Sequence, residues 1–600
     1  MNAAFMTDPG EAFSSLSTLA ETSGFRRTGR LDEVHRLCAA FAQTWPDAAR
    51  TFAYGRSAQG RPLQALVVSR AGTLDPAEIR RRGVPVLMIQ AGIHPGESDG
   101  KDAGFIALRE LLGGTAGPGL LQKQAILFVP AFNTDGHERV GPWNRPNQRG
   151  PEETGWRATA QNLNLNRDYA KADAPEMQAM LRLIQTWDPL VSADLHVTDG
   201  ADFEPDISLQ VEPLNQGDPT LRASGMLLRD GLIRKLAAQG SLPLPFYPDL
   251  AKTDDPSSGF LLTVYSPRFS TGYFPQRNRF TMLVETHSWK DYETRVRVTR
   301  NSILGLAELV EEHGRRWQDL ARQADASAAT LGGTEIPLDY RSSWREPATA
   351  AVVEETPDAA DARLIDFRGY AYTRELSPIS GDRVTVYDPK TPRIWRVPLR
   401  DRVEASLVVR VPRGGYIVPA EFAEVIGAKL VLHGVIFDVL RSAWADAAVE
   451  EFRIVRAQFA GVPFEGRQRV GLDGAWRPVR HDLPAGSLFV PIAQPLVRLV
   501  LALFEPQAPD SFASWGFFNA CFERKEYIEP YVAERIAKDL YESDAELRAE
   551  FERRLKDPAF AANPVARLEF FCRRHPSWDR RCEVVPVFRV EKVPAEGELA

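Results

Sequence analysis

The sequence predicts an α/β fold, with a mostly parallel sheet flanked by helices, from three observations. Apolar runs alternate with amphipathic stretches through the first half of the chain. The runs are near-continuous rather than strictly alternating, as in strands buried on both faces. Histidine and carboxylate residues collect where those runs end, the edge at which open α/β sheets place their sites. Residues 84–90, 125–132, 190–197 and 281–286 read as strands, rich in Val, Ile, Leu and Phe. Residues 101–112 and 174–187 read as helices, the second with Asp173 as candidate N-cap and Pro175 in its first turn. A long helix is predicted over 294–321, and the following DASAATLGGTE reads as a linker.

Six hundred residues are more than one core usually supports, so several domains are expected. The linker places the end of a first, candidate catalytic domain near residue 325. Residues 326–415 carry short β-type runs (RVTVYD, ASLVVRV) broken by Pro, Gly and Asp, and read as a β-rich accessory region. Residues 416–600 read as a mixed helical region, with a strongly charged helical stretch over 533–556. His433, His481 and His575 lie far apart there, and are expected to be ordinary hydrogen-bonded histidines.

With 44% hydrophobic and 26% charged residues the chain is neither disordered nor fibrous. A formal net charge of −7 gives no reason to expect a nucleic-acid or anionic-membrane partner. The apolar stretch 495–504 is short and contains Arg498, so a buried helix is expected there and no membrane span. Four cysteines make no disulfide framework and no CxxC metal site. The first residues lack the basic and apolar segments of a secretory signal, and a cytoplasmic location is expected.

The chemistry concentrates in IQAGIHPGESDGKDAG, where a strand ends, a glycine turn follows, and His94 and Glu97 precede a helix. Residues three apart on such a turn can aim an imidazole and a carboxylate at one point, as zinc requires. His196, in SADLHVTDG, ends another apolar strand and completes a His2Glu set with one position left for water. Glu285, in TMLVETHSW, is a carboxylate inside an apolar strand, costly unless it has a partner or a function.

Together these features resemble the zinc carboxypeptidase family, the carboxypeptidase A-like metallopeptidases or funnelins, over residues 25 to 325, opening with GRSAQGRPLQALVVS. The resemblance implies a mixed, mostly parallel twisted sheet flanked by helices, followed here by a C-terminal β-then-α region. It implies one zinc ion held by His94, Glu97 and His196, with Glu285 as the catalytic glutamate. Asn166 and Arg167, in LNLNRDY, match the pair that grips the substrate's terminal carboxylate, and NTDGHER resembles the family's Asn-x-Asp-Gly turn. Arg157, in GWRATA, matches the arginine that polarises the scissile carbonyl. Tyr273 is taken as the substrate-capping tyrosine because its loop directly precedes the Glu285 strand, although Tyr265 has a spacing closer to the family's usual one.

The expected activity is therefore hydrolysis of the C-terminal amide bond of peptides, with Glu285 assisting attack by a zinc-activated water. Two departures matter. Where the family often has an Asp that orients a zinc-bound histidine, this chain has Asn164. The DLHVTDG context leans toward the aspartoacylase and succinylglutamate-desuccinylase branch. An N-acyl amino acid deacylase is thus the alternative, and a non-catalytic peptide-binding member of the fold a third. In either enzymatic reading the partner is a peptide or N-acyl amino acid substrate with a free carboxylate.

Overall fold

A computed structural model describes residues 15–342 and 362–595. Its first half is an eight-stranded mixed sheet of β1 (Ala49–Arg56), β2 (Pro62–Ser69), β3 (Val86–Ala91), β4 (Ala125–Val129), β5 (Val191–Val197), β6 (Ile207–Glu212), β7 (Pro243–Leu244) and β9 (Phe280–Thr286). Their order is β1-β2-β4-β3-β5-β9-β6-β7. The centre, β4-β3-β5-β9, is parallel, and the strands beside it join antiparallel. All residues of β3, β4, β5, β6 and β9 are buried, as the near-continuous apolar runs require.

Alternate residues of each strand serve different cores. Leu87, Ile89 and Ala91 face a cluster built by helices α1 (Leu31–Thr44), α2 (Asp99–Gly113), α4 (Arg222–Ala238) and α5 (Tyr292–Ala328). Val86 and Met88 face the opposite cluster, which takes in Met177, Met180 and Ile184 of α3 (Pro175–Trp187). That second cluster continues into the C-terminal half through Tyr416, Leu430, Leu499 and Val585. One face of the sheet is therefore covered in large part by residues beyond 410.

The long helix starts two residues before the predicted one and continues to Ala328, into the expected linker. The Ala-rich DASAA has high helix propensity, and Asp325 accepts hydrogen bonds from Asn278 at 2.9 Å and Arg279 at 3.1 Å. Helix α3 begins on Pro175 after Ala174, which makes no side-chain cap; Asp173 instead pairs with Arg467 and Lys429.

In the second half β10 (Glu335–Ser342) pairs with β13 (Val403–Arg410), and β11 (Arg363–Leu376) with β12 (Arg383–Arg400), both antiparallel. Strand β12 also runs parallel to β8 (Phe260–Leu261) of the first half, Leu399 opposite Phe260 and Arg400 opposite Leu261. A six-stranded antiparallel sheet follows, β15 (Asp438–Val439), β18 (Leu488–Pro491), β14 (Gly415–Val418), β19 (Val584–Val590), β16 (Trp444–Phe459) and β17 (Val470–Leu483) in that order. Residues 416–600 are thus more strand-rich than the helical reading anticipated: β16 and β17 are solvated on one face and heavily charged, which blurs their alternation. Helix α6 (Ala420–His433) packs against α3 and α7 (Val497–Phe504) against residues 274–277 of the first half, and every residue of α7 is buried. Among the described residues no helix is long and apolar enough to cross a membrane.

Candidate metal centre and substrate cavity

Register fixes the centre of the site. In the β5–β9 pair His196 lies directly opposite Glu285, and in the β3–β5 pair Ala91 lies opposite Leu195. The chain leaves β3 through Gly92, whose φ of +67° is the left-handed region that glycine adopts without penalty. It then delivers His94 and Glu97 to the ends of β5 and β9. His94 Nδ1 is 3.0 Å from Glu97 Oε1, and His196 Nδ1 is 2.9 Å from Glu97 Oε2. One nitrogen or oxygen from each of the three residues falls within a 4.8 Å cluster, and all three residues are buried.

The groups behind the rings, an amide oxygen for His94 and a carboxylate for His196, set which nitrogen faces inward. The backbone N–H of Asn166, which can only donate, points to Asn164 Oδ1 at 2.9 Å. That fixes the amide, so His94 Nε2, 3.1 Å from the same oxygen, is the donor and Nδ1 carries the lone pair. His94 Nδ1 is buried without a hydrogen-bond partner. Burial, opposed by Glu97, lowers the His94 pKa to about 4, which keeps the ring neutral and metal-competent. Asp194 backs the other ring, 3.1 Å from His196 Nε2, and is itself held by Gln90 at 2.8 Å and Ser270 at 2.6 Å. Burial disfavours a charge on His196, but Asp194 and Glu97 outweigh it and push its pKa well up. Burial likewise opposes charge on Glu97, yet the cationic Arg145 and His196 beside it hold its pKa well below the usual carboxylate range. A site that stabilises positive charge between an ionised carboxylate and two oriented imidazoles fits a divalent cation, and the His2Glu donor set suits zinc.

Glu285 is 8% exposed, and its Oε2 is buried with no hydrogen-bond partner. Burial, reinforced by Glu97 and Asp199, raises its pKa to about 8. It faces a cavity of about 210 Å³ that is also lined by His94, Glu97, His196, Arg157, Asn166 and Arg167. Arg157 Nη1 lies 3.5 Å from Glu97 Oε1. Arg167 donates to the Asn166 carbonyl at 2.7 Å and lies over the Phe269 ring, 4.3 Å from its centroid. Burial, and then Arg157, lower the Arg167 pKa, so two cations crowd one wall where an anionic ligand would relieve both.

Seven of the eight residues selected from the sequence therefore meet in one cavity. Tyr273 does not. It is fully buried against the C-terminal half, where His433 Nε2 donates to the Ala170 carbonyl at 2.9 Å and His433 Nδ1 receives the Tyr273 hydroxyl at 3.0 Å. Its reassignment to the core follows from a helix 160 residues further on, which the local sequence does not reveal. Tyr265 is the tyrosine that lines the cavity beside Phe269, together with Tyr247 and Asp199.

Nothing in its local sequence, GPWNRPNQRG, singles out Arg145. Its guanidinium is nearly buried, 3.0 Å from Glu97 Oε1, and also donates to the Val197 carbonyl at 3.3 Å. Asp194 does carry a readable signal, its place two residues before His196 on the same strand face.

Residues 34–202 match the model of the zinc carboxypeptidase family. Among solved structures, a metallo-carboxypeptidase from Burkholderia cenocepacia aligns at 17% identity over 47% of this chain and 70% of its own, with a TM-score of 0.35. Carboxypeptidase A from Helicoverpa armigera aligns at 15% identity over 49% and 74%, with a TM-score of 0.34. A metallo-carboxypeptidase from Pseudomonas aeruginosa aligns at 17% over 47% and 69%, also at 0.34. No curated protein matches the chain.

Proposed function

We propose that this chain, whose residues 34–202 match the zinc carboxypeptidase family, is a zinc-dependent metallocarboxypeptidase that removes the C-terminal residue of peptides. The observation that carries the reading is the convergence of His94, Glu97 and His196 beside Glu285, with Asn166 and Arg167 on the same cavity. A metal held by His94, Glu97 and His196 would supply the Lewis acidity that activates water and polarises a carbonyl. Arg167 offers a planar fork to a terminal carboxylate, and Asn166 Oδ1, buried without a partner, adds an acceptor for the substrate. Arg157 faces the position where negative charge develops on the carbonyl oxygen, a contribution typically worth about 3 kcal/mol. Glu285 takes the proton from the attacking water and returns it to the departing amine, so no proton is gained or lost over the cycle. The cavity, about 210 Å³, suits one residue with its carboxylate rather than a long segment of chain. Residues 1–325 would form the hydrolase, with 326–415 and 416–600 as the accessory regions.

Glu285→Gln is the decisive variant. It is expected to bind zinc stoichiometrically and to lose at least about a thousandfold in kcat on peptides with a free C-terminus, the scale of a lost general base. An active Glu285→Gln protein overturns the assignment. Wild type should cleave free acids and spare the corresponding peptide amides; preference for N-acylaspartate or N-succinylglutamate would instead select the deacylase reading.

A further inference from the structure

The hairpin between β16 and β17 reaches across from the C-terminal half to the segment that carries Asn164, Asn166 and Arg167. At its tip Phe464 and Arg467 bridge, with hydrogen bonds of 2.8 and 3.1 Å, around a two-residue turn, Glu465-Gly466. Both turn residues have positive φ, +51° and +77°. Such a turn favours Asn-Gly, Asp-Gly or Gly-Gly, because a longer side chain meets steric resistance in the left-handed region. Glutamate is a poor choice for the turn itself.

Its side chain has another task. The Glu465 carboxylate accepts the backbone N–H of Asn164 at 2.8 Å. Asn164 in turn holds His94 Nε2 at 3.1 Å and the Asn166 N–H at 2.9 Å through one oxygen. The tip is itself anchored: Arg467 forks onto Asp173 at 2.6 and 2.9 Å and stacks over Phe517, while Phe464 stacks on Trp515. Trp515 also donates at 3.0 Å to Asp510, which receives the Arg268 backbone N–H at 2.8 Å and so ties down the loop that carries Phe269. Both walls of the cavity next to Arg167 are thus held by carboxylates from the C-terminal half.

We infer that Glu465 is a positioning residue for the metal centre and the carboxylate-binding wall, acting through Asn164. This rests on the function proposed above for its effect on substrate, but its effect on metal affinity needs only that His94 ligates a metal.

Glu465→Asn separates the turn from the task. Asparagine suits the turn better and is one carbon too short to reach the Asn164 N–H, so the thermal midpoint should stay level or rise. The lost charge-assisted hydrogen bond should raise KM for free-acid peptides roughly tenfold with kcat little changed. Zinc affinity, read by chelator competition, should weaken severalfold. Glu465→Gln, which keeps length and acceptor, should recover most of both, and Glu465→Ala should not. Wild-type KM and zinc affinity in Glu465→Asn overturn the proposal, as do equal values in the Gln and Ala variants should the Asn protein prove unstable. If wild type cleaves no free-acid peptide, the function above fails, while the zinc competition still decides the role of Glu465.

Discussion

Without a metal, burial beside Glu97 and Asp199 keeps the proton on Glu285 up to a pH of about 8, against an ordinary value of 4.5. Between those values the folded protein holds a proton that the unfolded chain has released, so stability falls as pH rises through the window. The contribution is complete below about pH 4.5 and lost above about pH 8. Glu285→Gln has no such dependence. In chelator, its thermal midpoint should therefore gain on wild type steadily from pH 5 to pH 8; a gap that stays constant contradicts a protonated Glu285. Added zinc should narrow the gap, since a nearby dication favours the carboxylate. At this scale the sequence was readable where a polar residue interrupts an apolar run: His196 and Glu285 announce themselves in that way. Arg145 does not, because its contact with Glu97 comes from a Pro- and Gly-rich loop whose path no periodicity encodes.

Among the elements, helix α2 sets the approach of Glu97, and it is tied to α5 by an ion pair withdrawn from water. Asp99 and Arg295 are essentially fully buried, with Nε to Oδ2 at 2.8 Å. Arg295 also donates to the carbonyls of Arg149, Gly150 and Lys290, and Thr286 of β9 donates to Asp99 at 2.9 Å. Arg295→Leu removes the counter-charge of a buried carboxylate and the side-chain donor to the Arg149 and Lys290 carbonyls, and should cost about 3–5 kcal/mol in denaturant unfolding. Arg295→Leu with Asp99→Asn should recover part of that loss; a double variant worse than the single one contradicts the pairing. The central strands and both crossover helices were legible because their apolar residues repeat with the period of the structure. Strands β16 and β17 were not, since Arg, Glu and Asp crowd their solvated faces, and the end of α5 was hidden by its small residues.

Over the whole molecule the two halves share one apolar cluster, in which Met88, Phe132 and Leu165 join Tyr416, Leu499 and Val585. Buried polar ties cross the same boundary, Arg268 to Asp510 and Tyr273 to His433 among them. Surfaces joined through a common core unfold together. Calorimetry should therefore give a single transition for the chain, and two well-separated transitions would mean that the halves are independent. Composition and linker-like residues mark a change of pattern near residue 325; sequence shows where helix and strand patterns change but not which strand faces they cover. Residues beyond 410 thus complete the core beneath the sheet that carries the candidate site.

The pairing of β8 with β12 also dictates an order of events. Phe260 and Leu261, just before the loop that bears Tyr265 and Phe269, bridge locally to Leu250 and Asp249 but gain a parallel strand partner only at Leu399 and Arg400. On the ribosome, at about 5–20 residues per second, that partner emerges on the order of ten seconds after the strand it completes. The three candidate ligands are made early; the wall beside them is finished late. A nascent chain therefore passes through a stage in which His94, Glu97 and His196 have all been synthesised while the cavity beside them lacks the strand partner that completes its edge.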